Sequence, residues 1–218
     1  MKFDFDEVIA SRQIKHMLHL QDEVNTKVNF SWRSQDYSWC RAIWTECAEL
    51  LDHYGWKWWK HQEPDLAQVR LELVDIWHFG LSWLLQHEEN PNTVIKDLVA
   101  GLDEPTDPEL TFQDLVEAVA RSALTYEQFV PVEFARLMVA AELTLDELYR
   151  LYVGKSVLNH FRQDFGYREG TYCKVWDGRE DNEHLYELIQ TLDANHESFM
   201  DKIYLGLVTQ YPRIQNSL

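Results

Sequence analysis

Four carboxylates stand out by their spacing. Glu46 and Glu49 lie at i and i+3, and Glu72 and Asp75 repeat the pattern 26 residues on. On a helix such pairs share a face, with Cβ atoms about 5–6 Å apart. Both pairs sit among apolar residues: Ile43, Leu50 and Leu51 around the first, and Leu71, Leu73, Val74 and Ile76 around the second. The i+4 positions are Leu50 and His53 for the first pair and Ile76 and Phe79 for the second, so no Lys or Arg answers the acids on that side. The connection 55–64 contains Gly55 and Pro64. It is long enough to reverse the chain and set the two helices side by side. Four acids would then converge in one seam. Buried anions need compensation, and a divalent cation is the natural counter-charge. Oxygen-only ligands select hard ions, so Mg²⁺ is expected, with Mn²⁺ as a substitute. Four acids could hold two or more ions along a polyphosphate. The opposing reading is that the acids lie on solvated faces, paired in space with Arg41 or Arg70.

The elements that must position these acids are helices. Only 8 glycines and 6 prolines punctuate 218 residues, and apolar residues recur at three- and four-residue spacing. Helices are predicted over 6–27, 36–54, 65–89, 92–101, 111–124, 132–143, 145–165 and 182–210. Gly101 reads as a helix end, Thr111 and Asp114 as a capping pair, and Pro131 as a first-turn residue. No convincing strand and no internal repeat is visible. The expected fold is an all-α, multi-helix bundle in which the E-x-x-E and E-x-x-D helices form the metal site, within a single domain over 1–218. The prominent loops are 28–35, 55–64, 102–110 and 166–181. Six of the nine tryptophans (Trp32, Trp39, Trp44, Trp56, Trp58, Trp59) fall within 28 residues. They read mainly as core, with one or two available as a flat wall for a nucleobase.

Composition narrows the function. With 45% hydrophobic and 26% charged residues the chain is an ordinary globular one. Its net charge of −17 repels nucleic-acid phosphates and anionic lipid. No nucleic-acid or membrane partner is expected, and no run of 18 apolar residues exists to span a bilayer. The acidic start MKFDFDEVIA lacks a continuous apolar stretch, and Cys40, Cys47 and Cys173 form no metal-site spacing. A reduced, cytoplasmic chain is expected.

At the acid pairs the sequence resembles a known family. ECAELLDHYGWKWWK (46–60) followed by VRLELVDIWHFGLS (69–82) is similar to the dimeric, all-α dUTPases, members of the all-α nucleoside triphosphate pyrophosphatases. GKSVLNHFRQDFGYREGTYCKVWDGREDN (154–182) resembles the C-terminal motifs of that family. The resemblance implies hydrolysis of dUTP, and of dUDP, to dUMP, which limits uracil incorporation into DNA. It implies Mg²⁺ held by Glu46, Glu49, Glu72 and Asp75, a homodimer, and a smaller mobile helical part that closes on the nucleotide. Catalytic roles fall to Glu46 and Glu49, with Glu49 as general base. Lys155, Arg162, Tyr167, Lys174 and Asn182 would contact phosphate or sugar. Arg168 stands where the family usually has Lys. Gln21, Asn25 and Asn159 match base-binding positions, and amides suit the donor and acceptor edge of uracil. Trp59 and Phe79 are candidates for base or sugar packing. His78 reads as a structural residue.

The 154–182 block has five basic and five acidic residues, against 15 basic and 32 acidic elsewhere, so it is the locally neutral part of an acidic chain. Phosphoanhydride hydrolysis needs an activated water and neutralised phosphate charge. The rivals are another nucleotide such as dCTP, or a non-enzymatic helical interaction protein. A di-iron bundle would need Glu-x-x-His on two helices. None of these glutamates has that spacing.

Overall fold

The computed structural model describes residues 6–87, 90–103, 109–194 and 196–212. Its helices are α1 (Glu7–Val28), α2 (Trp39–Tyr54), α3 (Leu66–His87), α4 (Pro91–Asp103), α5 (Phe112–Thr125), α6 (Pro131–Ala140), α7 (Leu145–Asp164), α8 (Asp181–Gln190) and α9 (Phe199–Gln210). A 3₁₀ turn covers Trp32–Ser34, and two short strands, β1 (Val175–Trp176) and β2 (Arg179–Glu180), pair antiparallel. Among the described residues the fold is all-α apart from this hairpin. Contacts group the chain into two compact units, 1–149 and 150–218, with the boundary inside α7.

In the first unit α3 is the central helix. Residues all round it are buried, including Val69, Leu73, Ile76, Trp77, Leu81 and Leu84, as expected for a helix enclosed by neighbours. Trp77 stacks on Phe134 of α6 at 4.8 Å. Gly80 admits the Phe129 ring, which would stand 2.6 Å from an added Cβ. Ile14, Met17 and Leu18 of α1, and Ile43, Cys47 and Leu50 of α2, complete this core. The α2–α3 connection is tied by the Asp65 N–H donating to His53 O at 2.9 Å. Glu46 meets Glu72 and Asp75, while Trp39 meets Phe79. Contacts early on α2 thus fall late on α3, and the two helices run antiparallel.

In the second unit an aromatic core gathers Phe161, Phe165, Tyr172, Trp176 and Tyr211, with Tyr172 and Tyr211 stacked at 5.4 Å. The hairpin turns at Asp177 and Gly178, whose φ values are 48° and 81°. Two positive-φ residues match the twist of the strands. α8 starts at a capping box formed by Glu180 and Glu183.

Most predicted helices form, and the capping box at Thr111 and Pro131 at the first turn stand where expected. Three details differ. The expected helix 182–210 is two helices, because the described residues between them make local turns: His196 N–H donates to Asp193 O, and Ser198 N–H to His196 Nδ1. Such i, i+3 turns and a side-chain acceptor for a backbone N–H take the place of the helical ladder there. α6 stops at Ala140 in a Schellman arrangement, with Leu143 N–H on Met138 O, Glu142 N–H on Val139 O, and Glu142 at φ 52°. No glycine advertises that stop. Gly101 lies inside α4 and does not end it. Residues 88–89 of the third predicted helix, and 104–108 of the predicted loop 102–110, lie outside the described residues.

The tryptophans also depart from expectation. Only Trp32 of the six is fully buried, whereas Trp44, Trp56, Trp58 and Trp59 are exposed, Trp58 by 89%.

Candidate active site

Glu46 projects from α2 toward Glu72 and Asp75 of α3, one turn apart. One carboxylate oxygen from each lies within 4.8 Å of the others. Glu72 is buried, Glu46 and Asp75 half-buried. Helical pitch explains the Glu72–Asp75 alignment, and the antiparallel pairing supplies Glu46. The Glu46 acid is pushed up to about 8, first by burial and then by the charges of Asp75, Glu72 and Glu49 and a hydrogen bond with Glu72. Such a shift is what burial and like charges held close produce. His53 Nε2 approaches Glu72 at 3.6 Å. Arg70 instead donates to the carbonyls of Ala141 and Glu142 and approaches Glu147.

Glu49 is exposed and stands outside this trio, though its charge reaches Glu46. An i, i+3 pair is offset around the helix, so one member can face the seam while the other faces its rim.

Gln21 and Asn25 meet on the buried face of α1 as their spacing requires. Gln21 Nε2 donates to Asn25 Oδ1 and to Ser82 Oγ, both at 3.0 Å, and Asn25 Nδ2 donates to Ser82 Oγ at 3.0 Å. His78 Nδ1 donates to Gln21 Oε1 at 2.7 Å, and Ser82 Oγ donates to His78 O. His78 is thus hydrogen-bonded core, as its setting suggested, and Ser82 is a member of the cluster that sequence reading missed. Phe79 is half-buried against Trp39 at 6.4 Å. Trp59 is exposed between Trp56 and Trp58, each at 5.3 Å.

In the second unit a different cluster forms. Arg162 donates through Nε and Nη2 to the two oxygens of Asp181, each at 2.8 Å, and through Nη1 to Asn159 Oδ1 at 3.2 Å. Lys155 Nζ donates to Asn182 Oδ1 at 3.1 Å, and Tyr172 OH donates to Asp181 at 2.9 Å. Burial works to raise the Asp181 acid, yet Arg162, Tyr172 and Lys155 hold it below the usual carboxylate range. The Tyr167 ring lies 5.8 Å from the Arg162 guanidinium. Arg168 is exposed, and Lys174 makes a surface ion pair with Glu180 at 3.0 Å. Asp181 was not singled out from the sequence. Its one signal was an acid in the first turn of a helix, directly after a capping glutamate.

A family model described as dUTPase matches residues 13–167. That span covers most of the chain, including both acid pairs and the start of the C-terminal block. The chain belongs to the dUTPase family. Its activity is accordingly that of a dUTP diphosphatase. No curated protein matches the sequence. The all-α architecture agrees with an all-α dUTPase, and no helix among the described residues is long and apolar enough to cross a membrane.

Proposed function

We propose that this dUTPase is Mg²⁺-dependent, accepts dUDP as well as dUTP, releases dUMP, and thereby limits uracil incorporation into DNA. The observation carrying this reading is the trio Glu46, Glu72 and Asp75, whose oxygens lie close enough to share a cation. The donor set fits: all three ligands are hard oxygens, and Mg²⁺ characteristically takes a few carboxylates together with substrate phosphates. Glu46, Glu72 and Asp75 would hold the metal, with Glu49 completing the set from the rim. When bound, Mg²⁺ supplies charge neutralisation for the phosphates and lowers the pKa of coordinated water.

The remaining steps belong to side chains. Glu49, on the exposed edge of α2, accepts the proton of the attacking water as general base. Glu46 orients that water. Gln21, Asn25 and Asn159 hydrogen-bond the base, and Trp59 and Phe79 pack against base or sugar. Lys155, Arg162, Tyr167, Arg168, Lys174 and Asn182 hold phosphate or sugar. The homodimer implied by the sequence resemblance, the closure of a mobile part, and a cytoplasmic location belong to the same proposal.

A substrate panel tests it. Purified protein is given dUTP, dUDP, dTTP, dCTP and UTP, with Mg²⁺ or with chelator, and phosphate products are measured. Turnover confined to the uracil deoxynucleotides and lost in chelator is expected. Equal rates across bases, or full activity in chelator, would overturn the reading.

A further inference from the structure

The cluster around Arg162 fixes more than a charge. A guanidinium carries only donors. With Arg162 Nη1 3.2 Å from the Asn159 side chain, the amide must turn its oxygen to the arginine, leaving Nδ2 as the group Asn159 offers elsewhere. The arginine is itself immobilised. Two of its nitrogens grip the Asp181 carboxylate at 2.8 Å each, a bidentate geometry that sets the plane of the fork. Asp181 is wholly buried. It is anchored by Tyr172 OH at 2.9 Å and by its own N–H on Lys174 O. It also sits in the first turn of α8, where the helix dipole favours an anion.

We propose that Asp181 is a positioning residue that, through Arg162, locks the Asn159 amide with its nitrogen outward, making Asn159 a donor that selects a base carbonyl oxygen over an amino group. Uracil carries a carbonyl at its 4-position, where cytosine carries an amino group. A locked donor meets an acceptor in the first case and another donor in the second. Thymine shares the uracil carbonyl and is not separated by this device. Asn182 repeats the pattern: Lys155 Nζ takes its oxygen at 3.1 Å, so its nitrogen too is the group left to donate. The proposal rests on Asn159 contacting the base, as read above.

The test measures kcat and KM for dUTP, dTTP and dCTP with Mg²⁺ in wild type, Asn159→Asp, Asp181→Asn and Arg162→Lys. Asn159→Asp keeps the shape and an acceptor for Arg162 but presents an oxygen outward. Its dUTP-over-dCTP preference in kcat/KM should fall about tenfold or more, the scale on which polar mismatch discriminates. Its dUTP-over-dTTP preference should stay within about twofold, because both bases carry the same carbonyl. Asp181→Asn should shift the dUTP-over-dCTP ratio in the same direction, since the amide can then flip. Arg162→Lys keeps the charge but cannot hold Asp181 and Asn159 together. It should reproduce that shift even if Asp181→Asn folds poorly.

A wild type that turns over dUTP and prefers it to dCTP, with variants that keep the ratio and lose only overall rate, would overturn the positioning role alone. A wild type inactive on dUTP would take the proposed function down with it.

Discussion

Two carboxylate clusters in one chain solve the same problem in opposite ways. Around Glu46 three acids crowd together, and the Glu46 acid is pushed up to about 8 by burial and by its acidic neighbours. Around Asp181 a deeper acid is held low, because Arg162, Lys155 and Tyr172 answer it despite its burial. The first cluster sets acid against acid, and in the proposed function a cation would be its counter-charge. In the second, the Asp181 carboxylate is answered by cationic and hydroxyl donors of its own unit. Burial alone does not set the acidity of a carboxylate; the sign of the charges around it decides the direction.

The sharpest way to break this comparison is to neutralise one acid on each side. Glu72→Gln should lower kcat/KM for dUTP by about a hundredfold to a thousandfold, a loss of the order seen when electrostatic stabilisation of a transition state is removed. The metal-free variant should melt above wild type, since a like charge is gone. A lower melting temperature with activity retained would make Glu72 structural.

Asp181→Ala should act in the reverse sense on stability. It strands the Arg162 charge in the second unit and should cost about 3–5 kcal/mol in denaturant unfolding. A variant as stable as wild type would show that the ion pair contributes little.

Mg²⁺ should stabilise wild type by about 2.7 kcal/mol at a hundred times its dissociation constant. Glu72→Gln should lose most of that gain and Asp181→Asn should keep it. Equal gains in both would place the ion elsewhere.

The smallest effect is on pH. The folded Glu46 acid, near 8, binds its proton more tightly than the unfolded one at its ordinary 4.5. Between those values the native state holds more protons than the unfolded state, so stability of the metal-free protein should fall as pH rises through this window. Asp181 carries the opposite sign. Its folded pKa is depressed, so its contribution is complete above the ordinary carboxylate pKa and is lost as pH falls through the depressed value. Melting curves of wild type and Glu46→Gln without metal check the first: the decline should flatten in the variant, and an unchanged decline would assign it to another group.

Much of the first cluster is legible in the sequence. Period-3.6 patterning yields α2 and α3, the Gly55–Pro64 connection turns the chain back, and i, i+3 spacing puts Glu72 and Asp75 on one face. What spacing could not resolve was the split between Glu46 in the seam and Glu49 on its rim, because 60° of helical offset decides burial only once a neighbour is in place. The tryptophans misled for a related reason. Their hydrophobicity suggests core, but the 55–64 connection leaves Trp56, Trp58 and Trp59 on the surface. The break between α8 and α9 was invisible, and the end of α6 was expected at 143 instead of Ala140, because neither uses glycine or proline; local turns and a glutamate at positive φ end these helices instead.

By itself the sequence determined local matters: helical periods, caps, the four acids and their intervals, and the family to which those motifs belong. These follow from interactions among residues a few positions apart. Only the tertiary structure decided which acids meet, that Arg162 is clamped by Asp181 across 19 positions of chain, and which way the Asn159 amide must face. Hydrogen-bond direction and burial are properties of neighbours brought together in space, and residue order does not state them.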